Sequence, residues 1–277
     1  MRRFAWLVSM FCAALFSPPT QAGTVGPSDC ASYTLAFYEH GVLYFKDSTG
    51  HYAGIDQDIV NELSKRSGCV FKRVLESRVR IWDQLSRQQL DISVSGIPNP
   101  ERERYAEFML YMQSRNYVMM RKDLSKQLSS PAAFMADMQR QVVVVKSFKH
   151  GATLDAWLEQ LRAQQRVVEA PDFETALRVF KAGRVDAMLA LPTTWSLLVR
   201  REAAQQQFDL LDWAPQDHIL AGLIVSRQRV SEADRQRLRQ ALMSMRKDGT
   251  LDTIFKRHLG HELAQAMRLD PGVDAAP

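Results

Sequence analysis

The sequence is poor in cysteine, carries only a small net charge and lacks the motifs that mark the common catalytic sites. Its 277 residues include three cysteines, and the formal net charge is +5. We find no phosphate-binding glycine loop, no G-x-S-x-G elbow and no H-E-x-x-H helix, so the common hydrolase chemistries have no support. A net charge this small is far from the strongly basic composition of nucleic-acid-binding proteins, so we do not expect the protein to bind nucleic acid. His258 and His261 lack a convincing set of ligands around them, so neither a metal nor another cofactor is expected.

The N-terminal residues are typical of a secretory signal peptide. Arg2 and Arg3 form the basic start, Phe4 to Phe16 is an apolar run too short to cross a bilayer, and a small-residue cleavage site ends at Ala22. The longest later apolar run, Ile219 to Val225, is the size of a strand rather than of a membrane span. We therefore expect a protein that is exported to the periplasm and soluble there.

Cleavage of the signal would leave two cysteines, Cys30 and Cys69, in an oxidising compartment. Each lies just ahead of a predicted strand, Tyr33 to Tyr38 for the first and Val70 to Leu75 for the second. If these strands are parallel neighbours, both cysteines lie at the same end of the sheet, where a disulfide is geometrically possible. Such a bridge would contribute roughly 3–4 kcal/mol in the chain-entropy model. The alternative is two buried thiols, and a catalytic cysteine has no support because neither has a histidine motif beside it.

Strand and helix patterns alternate along the rest of the chain, which predicts an α/β fold. A central stretch, Leu90 to Phe108, contains an apolar strand from Ile92 to Ile97 that must end at two prolines. A second set of alternations begins at Val142, and the strand from Ile219 to Val225 then returns to the first half. The expected architecture is two α/β lobes joined by two crossing strands.

This pattern also sets the expected boundaries. The predicted division is a signal peptide at 1–22, lobe 1 at 23–117 and 219–268, lobe 2 at 118–218, and a disordered tail at 269–277. Capping residues predict helix starts at Asp56, Ser231 and Thr250. A further helix is expected around Trp195 and Leu198.

The order and spacing of several short motifs resemble those of family 3 solute-binding proteins, the periplasmic polar amino-acid receptors of ABC importers. The matching motifs are Gly54-Ile55-Asp56-x-Asp58, Trp82-x-x-Leu85 with Leu90-Asp91, Asn99-Pro100-Glu101-Arg102 ahead of Phe108, His150-Gly151-Ala152-Thr153, Gly183-Arg184-Val185-Asp186-Ala187 and Asp248-Gly249-Thr250. The resemblance extends over roughly Tyr33 to Gly260. It implies the bilobed periplasmic-binding-protein fold, in which two lobes joined by a two-strand hinge close on a ligand held in the cleft between them.

The resemblance also implies a function. It points to a monomeric binding protein, not an enzyme, that delivers a small carboxylate-bearing, amino-acid-like solute to an ABC permease or another inner-membrane partner. Two alternatives stay open. A sensor subunit for a membrane partner would use the same closure. A dehydratase-like enzyme on the same fold would need cleft carboxylates, for which Glu39 and Glu174 are the only candidates.

The same resemblance assigns roles to individual residues. Arg102 would pair with the carboxylate of the ligand. Backbone groups at the ends of a strand and at the start of a helix would meet the polar ends of the ligand. These groups belong to Ser95, Gly96, Ile97, Gly151, Ala152 and Thr153. The loop residues expected in the cleft wall are Tyr38, Glu39, His40 and Tyr44.

Three positions depart from the family pattern. The first is Ala152, which precedes Thr153 at the helix start where the family often has glycine. Leu191 lies five residues after Asp186, where the family usually has an acid that pairs with the ligand's ammonium group. A buried ammonium without a counter-charge would be costly, so either Glu39 replaces the acid or the ligand is not an ordinary α-amino acid. Arg78 lies where an apolar residue is usual, which favours an acidic ligand.

Overall fold

The structure is a computed structural model that describes residues 30–196 and 207–269. Its strands are β1 (Ser32–Phe37), β2 (Phe45–Lys46), β3 (Tyr52–Ala53), β4 (Val70–Leu75), β5 (Ile92–Gly96), β6 (Ala106–Ser114), β7 (Tyr117–Arg121), β8 (Val142–Val145), β9 (Val167–Ala170), β10 (Ala187–Ala190), β11 (Phe208–Leu211) and β12 (Ile219–Ser226). Its helices are α1 (Ile55–Ser67), α2 (Arg78–Ser86), α3 (Pro100–Glu103), α4 (Pro131–Ala136), α5 (Ala152–Ala163), α6 (Phe173–Lys181), α7 (Glu232–Lys247), α8 (Thr250–Leu259) and α9 (His261–Ala266).

Three expectations reach beyond the described ranges. Residues 192–196 are helical, in agreement with the helix expected at Trp195, but Leu198 lies outside the described residues. The expected signal peptide lies outside them as well, and so does the expected tail apart from Leu269. No helix within 30–196 or 207–269 is long and apolar enough to cross a membrane.

Two five-stranded mixed sheets form the two lobes. The first has the strand order β4-β1-β5-β12-β6, and the second has the order β11-β7-β10-β8-β9. In each sheet three strands are parallel, namely β4, β1 and β5 in the first and β9, β8 and β10 in the second. All four valines of β8 are buried, as expected for a strand with both faces covered. The expected bilobed α/β fold is confirmed.

The chain crosses between the sheets at two adjacent places. Strand β6 of the first sheet ends at Ser114, and β7 of the second begins at Tyr117. On the return, β11 ends at Leu211 and β12 begins at Ile219. Because Ile219 pairs with Ser114, both crossings lie at the same end of the β6–β12 ladder. This is the two-strand hinge of the fold.

The predicted cap at Asp56 is wrong. Helix α1 begins after Gly54, and the first N–H groups of the helix donate to backbone carbonyls of the preceding loop, Ile55 to Val42 (3.0 Å) and Asp56 to Leu43 (2.9 Å). The backbone therefore satisfies the donors that a capping side chain would otherwise accept. The carboxylate of Asp56 is free for a different role.

The other two predicted helix starts have different outcomes. Ser231 caps α7 by accepting a hydrogen bond from the backbone of Asp234, as expected. Thr250 is not the cap of α8, because Gly249 has the capping position and Thr250 is the first helical residue. The Thr250 N–H donates instead to the Asp248 carboxylate (3.0 Å).

The disulfide between Cys30 and Cys69 is present. Strands β1 and β4 are parallel neighbours with Ser32 opposite Val70, so the residues preceding the two strands lie side by side. The Cα atoms of the two cysteines are 4.6 Å apart. The bridge therefore ties the start of the first lobe to the edge strand of its sheet.

Candidate functional site

A cleft of about 470 Å³ lies between the two lobes at the carboxyl ends of their parallel strands. One wall follows β1 and β4 of the first sheet, and the other follows β8 and β9 of the second. The lining residues are Tyr38, Glu39, His40, Leu75, Glu76, Ser77, Arg78, Arg80, Val145, Pro171, Asp172, Phe173, Glu174 and Arg178. The carboxyl ends of parallel strands are where open α/β sheets hold ligands.

Arg78 provides the buried positive charge of this cleft. It is the first residue of α2, it is 5% exposed, and its guanidinium carbon lies 4.8 Å from the ring centres of both Tyr38 and Phe148 and 5.8 Å from that of Trp82. Its Nε and Nη2 atoms are buried and have no hydrogen-bond partner among the described residues. These two nitrogens form one edge of the guanidinium, the edge that binds a carboxylate with two parallel hydrogen bonds.

Arg102 is also buried, and two of its five N–H groups already donate hydrogen bonds to backbone carbonyls. Its Nη1 donates to the carbonyl of Ile97 (2.8 Å), and its Nη2 donates to the carbonyl of Ser147 (2.9 Å). The guanidinium carbon lies 3.7 Å from the ring centre of Trp82. Burial and the nearby charge of Arg78 lower the pKa of Arg102 to about 10, so it stays cationic at neutral pH. Because Ser147 follows β8 of the other lobe, Arg102 joins the two lobes directly.

A second direct contact joins the lobes beside the cleft. The N–H of Val42 in the first lobe donates to the carbonyl of Thr193 in the second (2.7 Å). Gly41 permits this approach, since a Cβ there would lie 2.2 Å from the Thr193 oxygen and its φ of +53° is in the left-handed region. The structure therefore shows the lobes closed on each other.

A buried hydrogen-bond network supports the end of β5. Ser95 has a φ of +48°, its hydroxyl donates to Asp56 (2.7 Å), its N–H donates to the Tyr111 hydroxyl (2.8 Å), and its carbonyl accepts from the Tyr38 hydroxyl (3.2 Å). Tyr111 also donates to Asp56 (2.9 Å). Burial raises the pKa of Asp56 to about 7, although the two hydrogen bonds oppose the shift. Asp56 thus holds Ser95 in place beside the cleft, a role that its position in the G-I-D-x-D motif could have suggested.

Three aromatic rings from separate segments meet around His40, which lines the cleft. The ring of His40 lies 5.4 Å from that of Phe148 in a stacked arrangement and 5.7 Å from that of Phe173. His40 lies in the cleft wall, as expected, but it is buried and its Nε2 has no hydrogen-bond partner among the described residues. Burial, with the charge of Arg78, lowers the pKa of His40 to about 3, so the imidazole is neutral at physiological pH.

Two small cavities of about 10 Å³ each lie on the far side of these rings. Both are lined by His40, Phe148 and Leu191. Ser95 and Ile97 reach the first of them. Leu191 is therefore buried behind the ring pair, not exposed in the outer cleft.

The predicted helix start at Gly151 does not face the cleft. The N–H and the hydroxyl of Thr153 both donate to the Asp217 carboxylate at 2.9 Å, and a Cβ on Gly151 would lie 2.5 Å from that carboxylate. Ala152 and Thr153 are exposed. A carboxylate from the hinge of the chain itself therefore occupies the position at which the resemblance places the carboxylate of the ligand.

The remaining predicted site residues are divided between the cleft and the core. Tyr38 and the exposed Glu39 line the cleft. Tyr44 does not, because it is stacked between Phe37 and Tyr52 in the interior of the first lobe, with ring centres 4.2 and 4.7 Å away. Gly96 is buried against Ile224, where a Cβ would come within 2.2 Å of that side chain.

Phe173 in the cleft wall, and Phe148 and Trp82 against Arg78, were not predicted from the sequence. Each belongs to a different loop or helix, and no sequence spacing links them. In the part of the chain that the structure describes, no three His, Cys, Asp or Glu side chains converge to hold a metal ion.

Two α/β lobes with a hinge of two strands and a cleft at the strand ends define a solute-binding protein fold. The chain belongs to the bacterial extracellular solute-binding proteins, family 3, whose sequence model matches residues 42–261. The predicted resemblance is confirmed. No curated protein matches the sequence.

Solved structures with the same fold come from proteins with different roles. A substrate-binding protein of an ABC uptake transporter from Streptococcus pneumoniae, with bound histidine, has a TM-score of 0.70 at 17% identity, and the match covers 83% of this chain and 92% of that one. The ancestral amino acid-binding protein AncCDT-1, a precursor of cyclohexadienyl dehydratase, has a TM-score of 0.66 at 21% identity, covering 82% and 95%. A histidine kinase sensor domain has a TM-score of 0.66 at 18% identity, covering 83% and 96%. At these identities the likeness shows the fold alone.

Proposed function

We propose that the protein is a periplasmic binding protein that closes on a small carboxylate-bearing, amino-acid-like solute and delivers it to an ABC importer. The free edge of Arg78 is the observation that carries this proposal. A buried guanidinium with two unused N–H donors is unfavourable unless a partner arrives, and a carboxylate fits that edge with two hydrogen bonds. In this proposal lobe 1 comprises residues 23–117 and 219–268, and lobe 2 comprises residues 118–218. The permease would recognise the form in which these two lobes are closed on the solute.

Arg102 has a different role in this proposal from the one that the family resemblance assigns to it. Its two Nη groups are used by the carbonyls of Ile97 and Ser147, so it links the lobes in the closed form. Arg78 takes over the recognition of the carboxylate. The helix start at Thr153 takes no part, because Asp217 already accepts its donors.

The position of an amine on the solute also follows. Leu191 offers no counter-charge, and the carboxylates of Glu39 and Glu174 line the outer cleft from opposite lobes. A cationic group on the solute would therefore point outward, toward these two acids, while its carboxylate lies inside on Arg78. Both acids are exposed, so their contribution is screened by water and should be modest.

A thermal-shift screen with matched variants tests the proposal. The probes are pairs that differ only in the amine, such as L-phenylalanine with 3-phenylpropanoate and L-glutamate with glutarate. A solute at 100 times its Kd stabilises the folded state by about 2.7 kcal/mol, a rise of roughly 5–10 °C for a chain of this size. Wild type and Arg80→Met should respond alike, since Arg80 lines the same cleft but is exposed and paired with Glu76.

Arg78→Met should lose the response. If it keeps the wild-type response, Arg78 is not the anchor. If no carboxylate shifts the melting temperature of the wild type, the proposed function fails.

A further inference from the structure

The first of the two inner cavities lies between the lobes, beside the hinge. His40 reaches it from the loop after β1, Ser114 from the end of β6, and Thr193 from the helical residues 192–196 of the second lobe. Because Ser114 pairs with Ile219, this is the end of the β6–β12 ladder at which the chain crosses between the lobes. The cavity volume of about 10 Å³ is close to the smallest that holds one water molecule.

Three side chains in the wall of this cavity carry a buried polar atom that lacks a hydrogen-bond partner among the described residues. These atoms are Nε2 of His40, Oγ of Ser114 and Oγ1 of Thr193. His40 is 6% exposed and Thr193 is 1% exposed. Buried polar atoms of this kind are unfavourable, and where the protein supplies no partner an ordered water usually does. Three partners are the number that a buried water typically has.

Water fits these three atoms because it both donates and accepts hydrogen bonds. Burial and the charge of Arg78 lower the pKa of His40 to about 3, so the imidazole is neutral and Nε2 is either a donor or an acceptor. The hydroxyl groups of Ser114 and Thr193 rotate and can also play either part. A metal cation fits less well, since no carboxylate lines the cavity, and a larger molecule does not fit its volume.

The second inner cavity provides an internal comparison, because it has the same volume but a different polar lining. The Thr194 hydroxyl donates to the carbonyl of Leu191 (2.7 Å), and the side-chain amide of Asn116 donates to the carbonyl of His150 (3.1 Å). Of the described residues in its wall, only His40 has a buried side-chain atom without a partner. The two cavities therefore differ in the polar groups that await a partner, not in size.

We propose that one water molecule binds in the first inner cavity and bridges the two lobes, through His40 and Ser114 on one side and Thr193 on the other. Thr193 then joins the lobes twice. Its carbonyl accepts directly from the N–H of Val42 (2.7 Å), and its hydroxyl acts through the water. The water is part of the contact between the closed lobes, whichever solute the cleft takes, so this inference goes beyond the proposed function.

Thermal unfolding of Thr193→Val tests the inference by the sign of its effect. Valine has nearly the shape of threonine but lacks the hydroxyl. If Oγ1 is bonded to water, the substitution removes a hydrogen bond and should lower the melting temperature by roughly 2–4 °C. If Oγ1 has no partner, the substitution removes an unpaired buried group, and the melting temperature should stay the same or rise. Either of these last two results would overturn the inference.

A second substitution tests whether the two hydroxyl groups act through the same water. Ser114→Ala should also lower the melting temperature, and the variant with both Ser114→Ala and Thr193→Val should lower it by clearly less than the sum of the single effects. The control pairs Ser114→Ala with Thr194→Val, whose hydroxyl is bonded within its own segment, and these two effects should add. Additive effects of Ser114→Ala and Thr193→Val would exclude a shared water.

A crystal structure of the wild-type protein with its lobes closed, at a resolution that shows ordered water, locates the molecule directly. We expect one water within about 3.2 Å of Nε2 of His40, Oγ of Ser114 and Oγ1 of Thr193. A cavity without water, or direct hydrogen bonds among these three side chains, would overturn the inference. Neither result touches the proposed function, which depends on binding of a carboxylate by Arg78.

Discussion

Replacement of Arg78 by methionine should make the ligand-free protein more stable while it abolishes binding. The Nε and Nη2 groups of Arg78 are buried and have no hydrogen-bond partner among the described residues; each such group costs about 1–3 kcal/mol, so their removal should gain roughly 4 kcal/mol. The variant loses the attraction between the guanidinium and the rings of Tyr38, Phe148 and Trp82, about 2–3 kcal/mol in total. Methionine fills the space of the aliphatic stem without strain.

The balance is a stabilisation of about 1–2 kcal/mol, which corresponds to a rise in melting temperature of roughly 2–8 °C. Differential scanning calorimetry of the ligand-free proteins measures this change directly. The matched control is Arg80→Met, whose side chain is exposed and paired with Glu76, so its melting temperature should change by less than about 2 °C. A clear destabilisation of Arg78→Met relative to this control would refute the reasoning, because it would mean that the guanidinium is a structural element and does not wait for a ligand.

Three further predictions concern the scaffold around the cleft. Reduction of the Cys30–Cys69 bridge, or replacement of both cysteines by serine, should lower the free energy of unfolding in urea by about 3–4 kcal/mol. Detection of two free thiols in the denatured, unreduced protein would contradict the bridge. Because burial raises the pKa of Asp56 to about 7, the stability that its protonated form contributes is full below about pH 4 and is lost as the pH rises through 7. Asp56→Asn retains an acceptor for Ser95 and Tyr111, so it should flatten the decline in melting temperature between pH 4 and pH 8. An unchanged decline would exclude Asp56 as its source. Asp217→Ala removes the acceptor at the start of α5 and should cost about 1 kcal/mol in urea unfolding, whereas a stability equal to wild type would show that water replaces the cap.

The regular elements could be predicted because each carries a local signal. Strand β8 is four consecutive valines, and β4 matches its predicted bounds, Val70 to Leu75, residue for residue. The disulfide followed from one geometric condition, that β1 and β4 are parallel neighbours, and the strand register meets it. The two-lobe architecture was predicted because the strand that begins at Ile219 returns to the first half of the chain.

Strand β6 was harder to predict although it is the longest strand described. Its nine residues, Ala106–Ser114, do not alternate between buried and exposed positions, because β6 pairs with β12 along its length and the ladder contains a bulge near Gly222. The charged residues Glu101 to Arg104, which precede the strand, also make its first residue difficult to recognise in the sequence. The short helices α4 and α9 have too few residues for a periodic pattern to be visible.

The candidate site was predictable only in part. Arg78 was identified from its departure from a family pattern, but its free edge depends on which groups surround it in three dimensions. His40 lies more than a hundred residues from Phe148 and Phe173 in the sequence, and no local pattern brings the three rings together. Thr153 was expected to meet the ligand, and the prediction could not include Asp217, whose carboxylate reaches the same helix start from the hinge.

The most direct test of the central claim is a crystal structure of the protein with the carboxylate that raises its melting temperature most in the screen. We expect both carboxylate oxygens to lie within hydrogen-bond distance of Nε and Nη2 of Arg78, with the hydrogen bonds of Arg102 to Ile97 and Ser147 retained. A carboxylate bound to Arg102 with the edge of Arg78 still empty would contradict it.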